Sequence, residues 1–463
     1  MYSALVDCHT SYAIGVIGGG PGGYVAAIRC AQLGLRTVVI ERSGLGGRCL
    51  NEACIPAKTI LRAVDVADAV RGAGAFGVNT SEPTISLSAV QARRKAVVQA
   101  LGSGVEGLLV KHGVDVVRGH ARLTSSGGIE VDGARLEVDR GVILATGSRR
   151  RELRGMPYGE RIVGTEEAWA LEELPPTIAI VGAGASGVEI ASAYARLGSR
   201  VVLYEAEDRV LPSEDADASR MVERALRRQG VDMQTRASIE VVDADSAGVT
   251  LQCGGRQVTA DWLIVAVGRV PDVAGLGLEK AGVSQADSGL VAVDGAQRTS
   301  AAGIFAIGDL TAGPALAHKA SDEAVIAAEA AAGLDPAVLD HDLLPRVTFC
   351  SPTVASVGMT EAQARAVHAD ISVGVVPYGA VGAATVIGDR TGMVKLIGDR
   401  YSGRLLGAHV VGARASELVA EVVVARAAGF TYPELARAAH GHPTLSEVVL
   451  EAARAADGWL VHG

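Results

Sequence analysis

The chain has 463 residues, 49% hydrophobic and 21% charged, with a formal net charge of -9. This is too long for one hydrophobic core and predicts two to four domains, while the acidic balance excludes a nucleic-acid partner, which requires a clustered basic surface. Six cysteines are too few for a secreted disulfide scaffold, and no apolar run of roughly eighteen residues predicts a membrane helix.

The first thirteen residues carry Asp7 and His9 and lack the basic and apolar regions of a signal peptide, so a cytoplasmic location is expected. Tyr12 to Ile17 is a β-rich run. It leads into Gly18-Gly19-Gly20-Pro21-Gly22-Gly23, a G-x-G-x-x-G loop, then a helical pattern to Leu33 and a strand from Thr37 ending in Glu41. The first glycine permits the tight turn, the second lets backbone N–H groups approach a pyrophosphate, and the third lets helix pack on strand. The helix N-terminus favours phosphate charge, and the acid can accept from a ribose hydroxyl. In a chain with 58 glycines one such match is weak.

Cys49-Leu50-Asn51-Glu52-Ala53-Cys54-Ile55-Pro56 follows. Proline in a first turn predicts a helix starting near Ile55, with Cys54 at its N-terminus, where the dipole stabilises a thiolate. Lys58 shares a helix face with Cys54. Taken alone, the C-x4-C spacing fits a redox pair, half a zinc site or two buried thiols, although no second Cys/His pair with ligand spacing accompanies it. Its place after a dinucleotide unit favours the redox pair. Cys8, Cys30, Cys253 and Cys350 have no such context and read as ordinary thiols. Arg149, Arg150, Arg151 and Arg154 form a basic cluster that reads as a solvated hinge.

The middle of the chain repeats the first unit. Thr177 to Val181 is β-rich, Gly182-Ala183-Gly184-Ala185-Ser186-Gly187 repeats the loop, a helical run reaches Leu197, and the strand Val201 to Tyr204 ends in Glu205. Two matches in the same strand–turn–helix–strand–acid context are a strong signal for two dinucleotides. Glu205, with Glu207 and Asp208, would repel a 2′-phosphate. Only Arg209 favours one, so NAD is expected there rather than NADP.

Near the C-terminus stands His440-Gly441-His442-Pro443-Thr444-Leu445-Ser446-Glu447. Dithiol oxidation needs a base in the range where histidine titrates. The same residues also read as a T-x-x-E capping box, Thr444 to Glu447, before an apolar helix Val448 to Ala455, with the histidines as loop residues.

The cysteine segment resembles the redox-active disulfide motif of the pyridine nucleotide–disulfide oxidoreductases, particularly of members that oxidise dihydrolipoamide. The resemblance extends through Ala145-Thr146-Gly147-Ser148, Val267-Gly268-Arg269 with Pro271, Gly303-Ile304-Phe305-Ala306-Ile307-Gly308-Asp309, and Leu316-Ala317-His318-Lys319-Ala320. It implies an α/β fold with two Rossmann-like domains and an α+β dimerisation domain. The implied boundaries are 1–150 with 272–342 for FAD, 151–271 for NAD and 343–463 for the interface. FAD would meet Gly18, Gly20, Gly23, Glu41, Arg42, Gly47, Lys58, Thr146, Gly147, Asp309, Ala317 and His318. NAD would meet Gly182, Gly184, Gly187, Glu189, Glu205 and Gly268.

The resemblance also assigns roles. Cys49 is the interchange thiol, Cys54 the flavin-proximal thiol, and Lys58 with Glu189 a pair beside the flavin N5. His442 is the base and Glu447 its orienting carboxylate, reaching the other subunit of a homodimer. The implied activity transfers electrons from a small dithiol, or a lipoyl group carried by a partner protein, through FAD to NAD. No metal is implied. The alternatives are an NADH-dependent reductase of another small disulfide, and a redox-sensing or scaffold subunit without turnover. A mercuric reductase is disfavoured because Trp459 to Gly463 contains no cysteine pair. The sequence departs from the family pattern at Arg48, Glu52, Ala53, Ala57, Ala324 and Gly382-Ala383-Ala384. A carboxylate at Glu52 is expected to raise the thiol pKa values.

Overall fold

The computed structural model describes residues 11–125 and 127–463. The readings of Asp7, Cys8 and His9 lie outside the described residues. The chain forms two compact units. The first comprises the stretch up to Pro56, Arg93–Arg151 and Arg269–His341. The second comprises Ala57–Ala92, Glu152–Gly268 and Asp342–Gly463.

The first unit is built on a parallel five-stranded sheet. Its order is Ile304–Ala306, Val138–Leu144, Tyr12–Ile17, Thr37–Glu41, Asp115–Arg118. Side chains alternate across it, as a period of two requires. Val39, Ile143 and Phe305 face a core shared with the helices Pro21–Gln32 and Ala317–Ala331. Val38, Ile40, Val142 and Leu144 face the other core, closed by the antiparallel strands Ala121–Leu123, Ile129–Val131 and Ala134–Leu136. Parallel strands covered on both faces read as near-continuous hydrophobic runs, which is why YAIGVI and TVVIE were legible as strands.

The second unit contains the same plan again. A parallel sheet runs Asp232–Gln234, Arg200–Tyr204, Thr177–Val181, Trp262–Val265, Ile162–Val163. The helices Ala185–Leu197 and Ala216–Arg228 pack on the face carrying Ile178, Ile180 and Leu203. The strands Ile239–Ala244, Val249–Cys253 and Arg256–Ala260 cover the face carrying Ala179, Val202 and Leu263. The second unit also holds an antiparallel sheet of order Arg346–Thr348, Val354–Gly358, Leu405–Gly412, Gly392–Asp399, Ile371–Pro377. It packs on the helices Ala415–Ala427 and Glu447–Ala456. The expected fold class, two Rossmann-like α/β layers and an α+β region, is the one observed.

The cysteine helix is Cys54–Gly72, with Cys54 at its N-terminus as expected. Arg149 and Arg150 pair with Val270 and Arg269 in a two-stranded ladder. One local expectation needs correction. The helix after His442 is capped at Ser446 rather than at Thr444. The Thr444 hydroxyl donates to the Gly441 carbonyl at 2.7 Å, so only half of a capping box forms. Among the described residues, no helix is long and apolar enough to cross a membrane. Among the same residues no cluster of three or more His, Cys, Asp or Glu has the arrangement of a metal site.

Candidate functional site: two dinucleotide loops, a cysteine pair and a histidine–carboxylate dyad

The two glycine loops agree atom for atom. Gly18 N–H donates to the Ile40 carbonyl and Gly182 N–H to the Tyr204 carbonyl, each at 2.8 Å. Gly19 N–H donates to Glu41 Oε2, and Ala183 N–H to Glu205 Oε2, each at 2.6 Å. The first glycines have φ of +103° and +96°, a region that favours glycine. A Cβ on the third glycine, Gly23 or Gly187, would lie 1.8 or 1.9 Å from the carbonyl oxygen of the first. The middle glycines differ in kind. A Cβ on Gly20 meets nothing closer than 3.9 Å, and one on Gly184 meets nothing within 4 Å. So the outer glycines are required by the fold, and the middle ones leave room for an approaching group at a helix N-terminus. This fits a pyrophosphate in both loops.

In the first unit the loop opens on a cavity of about 930 Å³. Of the residues expected at its dinucleotide, Gly18, Gly20, Glu41, Arg42 and Gly47 line it, as do Thr146, Gly147, Asp309 and Ala317. Gly23, Lys58 and His318 do not; Gly23 is spent on packing. Cys49, Cys54, Arg48 and Glu52 line the same cavity. The cavity wall is held by polar contacts that the sequence did not announce. Ser148 Oγ donates to Asp309 at 2.5 Å, Arg269 Nε to Ser148 Oγ at 2.8 Å, and Arg42 to Asp272 at 2.6 Å. These partners are more than 100 residues apart in sequence, which hides them from spacing arguments.

Cys54 starts its helix, and Cys49 sits on the short helix Gly47–Asn51; both thiols are half-buried. Lys58, one turn into the Cys54 helix, belongs to the second unit, where its Nζ lies 2.8 Å from Glu189 Oε2. Glu189 Oε1 also accepts Phe349 N–H at 2.8 Å, and the Phe349 ring lies 4.6 Å from Lys58 Nζ. Phe349 escaped the sequence reading, since a lone Phe carries no motif. Beside the second loop, Arg209 Nη2 donates to the Pro212 carbonyl at 2.9 Å. Cys30 and Cys350 are buried, and burial pushes both thiols up to about 12, as inert core thiols.

His442 Nδ1 lies 2.9 Å from Glu447 Oε1, while Glu447 Oε2 accepts Thr444 N–H at 2.9 Å. The carboxylate therefore caps the loop and orients the histidine at once; the two sequence readings were not exclusive. Burial raises the Glu447 pKa, but the bonds from His442 and Thr444 outweigh it and hold it below the usual carboxylate value. A carboxylate anchored this way fixes the imidazole tautomer and leaves Nε2 to take a proton.

A family model described as pyridine nucleotide-disulphide oxidoreductase matches residues 12–324, and one for the dimerisation domain of that family matches residues 344–453. The chain belongs to the pyridine nucleotide–disulphide oxidoreductase family. It is an FAD-dependent, NAD-linked dithiol/disulfide oxidoreductase. A dihydrolipoyl dehydrogenase of Bacillus subtilis (strain 168) is 39% identical over 98% of this chain and 99% of its own length. One from Thermus scotoductus is 40% identical over 98% and 99%. Among solved structures, LpdA from Mycobacterium tuberculosis superposes with a TM-score of 0.88 at 32% identity, covering 95% of this chain and 98% of its own. The HOCl-induced flavoprotein disulfide reductase RclA from Escherichia coli gives 0.85 at 30%, covering 96% and 99%.

Proposed function

We propose that this oxidoreductase is a dihydrolipoyl dehydrogenase, active as a cytoplasmic homodimer on a small dihydrolipoyl dithiol or one carried by a partner protein. The observation that carries the reading is the convergence of Cys49, Cys54 and the Gly18–Gly23 loop on one cavity. FAD belongs at that loop and NAD at Gly182–Gly187, with Glu189, Glu205 and Gly268 on the NAD side and Lys58 paired to Glu189. The functional division is 1–150 with 272–342, 151–271, and 343–463. The last agrees with the dimerisation match over 344–453.

Across the homodimer, His442 of the partner subunit takes a proton from one substrate thiol, and the carboxylate beside it stabilises the imidazolium. The substrate thiolate attacks Cys49 Sγ of the oxidised pair, the Cys49–Cys54 bond breaks, and Cys54 leaves as a thiolate favoured by its helix N-terminus. The second substrate thiol displaces Cys49 and passes its proton to the departing Cys49 thiolate, closing the product disulfide. Bound FAD supplies the acceptor for the resulting electron pair and its relay as hydride to NAD. Anaerobic turnover of dihydrolipoamide with NAD tests this. Turnover on that dithiol, exceeding reduction of other small disulfides by NADH, is expected.

A second reading, an NADH-dependent reductase of another small disulfide, is favoured by Arg48 and Glu52, both lining the cavity beside Cys49. It prevails if glutathione-like or other charged disulfides outpace the lipoyl substrate in the same panel.

The glycine geometry makes its own prediction. Gly184→Ala should fold with unchanged melting temperature and FAD content. It should raise the KM for NAD about tenfold, an effect of about 1.4 kcal/mol. Gly187→Ala should instead lower the melting temperature, because its methyl meets the Gly182 carbonyl oxygen. Equal behaviour of the two variants would contradict this division of labour.

A further inference from the structure

The two dinucleotide loops share one more bond, which the glycine motif does not contain. In the first, the Gly46 N–H donates to the Gly19 carbonyl; in the second, the Leu211 N–H donates to the Ala183 carbonyl, each at 2.8 Å. Both donors have positive φ, +86° at Gly46 and +47° at Leu211. Glycine adopts that conformation freely. In leucine it is strained and persists only where the surroundings hold it. The holding contacts all lie within the second unit. The Leu211 side chain is buried in the core that also holds Ile178 and Leu203. Its carbonyl accepts the Glu214 N–H at 2.9 Å. Glu214 is buried too. Its Oε1 accepts from Arg346 Nε at 3.1 Å and its Oε2 from Ser356 Oγ at 2.6 Å, on the first two strands of the antiparallel sheet. Asp215 is tied to Lys395 of the same sheet at 3.0 Å.

We propose that Leu211 is a positioning residue for the nicotinamide dinucleotide, and that Glu214 is the anchor that keeps it in place. This rests on NAD occupying the Gly182–Gly187 loop. A trans peptide is planar, with its C=O and N–H on opposite sides. Fixing the Ala183 carbonyl therefore fixes the direction of the Gly184 N–H. Gly184 is the N-cap of the helix Ala185–Leu197, so that N–H is one of the donors with no acceptor inside the helix. It stands at the loop position where a Cβ would meet nothing within 4 Å, the side left open for a pyrophosphate. Glu205 holds the other end of Ala183, accepting its N–H at 2.6 Å. With both ends of Ala183 tied, the Gly184 donor is set before the dinucleotide arrives, and binding does not have to order it. The dinucleotide site thus runs past its terminal acid to Leu211 and, through Glu214, to the antiparallel sheet.

The test is NAD binding to the full-length, FAD-loaded, oxidised protein by titration calorimetry, with steady-state turnover of dihydrolipoamide beside it. Replacing Leu211 by its α-hydroxy acid turns the amide into an ester, deleting the N–H and keeping the side chain. The Kd for NAD should rise roughly fivefold, the size of one neutral hydrogen bond. Glu214→Ala should raise the KM for NAD and leave kcat and the KM for dihydrolipoamide unchanged, which marks lost binding rather than lost chemistry. Both proteins should keep their FAD. Val419→Ala, in the core under the helix Ala415–Ala427, is the control for general loosening. It should lower the melting temperature and leave NAD binding alone. If it weakens NAD as much as Glu214→Ala does at an equal drop in melting temperature, the effect is merely structural and the proposal is overturned. If the ester binds NAD as tightly as the wild type while Gly184→Ala binds it more weakly, the Leu211 assignment alone fails. If Gly184→Ala also leaves binding unchanged, NAD does not use this loop and both readings fall.

Discussion

Cys54→Ser is expected to lower dithiol turnover by roughly a thousandfold or more, as loss of a reacting nucleophilic group does. Cys49→Ser should cost as much, since in the proposed mechanism either change removes the exchangeable disulfide. The two variants should differ in one respect. Cys54 is the first residue of the helix Cys54–Gly72, at the positive end of the dipole. Cys49 lies on the separate short helix Gly47–Asn51. In C49S the remaining Cys54 should stay a thiolate at neutral pH and give long-wavelength absorbance against bound FAD; in C54S that band should be missing. NADH oxidation by a one-electron dye bypasses both thiols and should survive in each variant, which separates lost chemistry from lost folding. A band in C54S and none in C49S would reverse the roles.

Lys395→Met is expected to produce the largest loss of stability. The ammonium, 2% exposed, contacts Asp215 at 3.0 Å, Asp217 at 2.8 Å and Glu361 at 2.6 Å, and Asp215 is itself 2% exposed. Removing one partner of a buried charge pair costs about 3–5 kcal/mol, because the charges left behind stay desolvated. The urea midpoint of unfolding should fall accordingly, and an unchanged midpoint would refute the argument. The same cluster sets an acid limit. Burial raises the Asp215 pKa, but the Glu361 N–H and Lys395 outweigh it and hold the carboxyl below its ordinary value; Lys395 does the same for Glu361. Their stabilisation is full above an unfolded pKa of about 4 and is lost as pH falls through the lower folded values. His409, fully buried, is kept neutral by burial. Its unfolded form takes up a proton below about pH 6.5 and its folded form does not, so stability begins to fall there, before the carboxylates titrate. Denaturation followed from pH 8 to pH 4 should show a first decline near pH 6.5, and His409→Gln should remove it.

Much of the site was legible because it is made of local chain geometry. A glycine that must turn, an acid at the end of the next strand, and a cysteine before a proline-started helix each act within a few residues of themselves. The duplication made that signal specific, and Gly18–Glu41 and Gly182–Glu205 proved the same structure twice. Other features were silent. Lys395 and Asp215 are 180 positions apart, Lys58 and Glu189 are 131 apart, and Phe349 contributes a ring and one N–H to that pair. Nothing in local spacing reports such contacts, since they exist only once distant strands are packed.

The sequence by itself determined the two nucleotide loops and the cysteine pair, because backbone conformation and helix ends are short-range effects. The tertiary structure decided how the charges are used. It showed Glu447 serving cap and histidine together, His440 closed between two acceptors beside an open His442, and Lys395 sealed among three carboxylates. Those outcomes depend on desolvation and on which acceptors lie within about 3 Å of a donor, distances that only the folded chain sets.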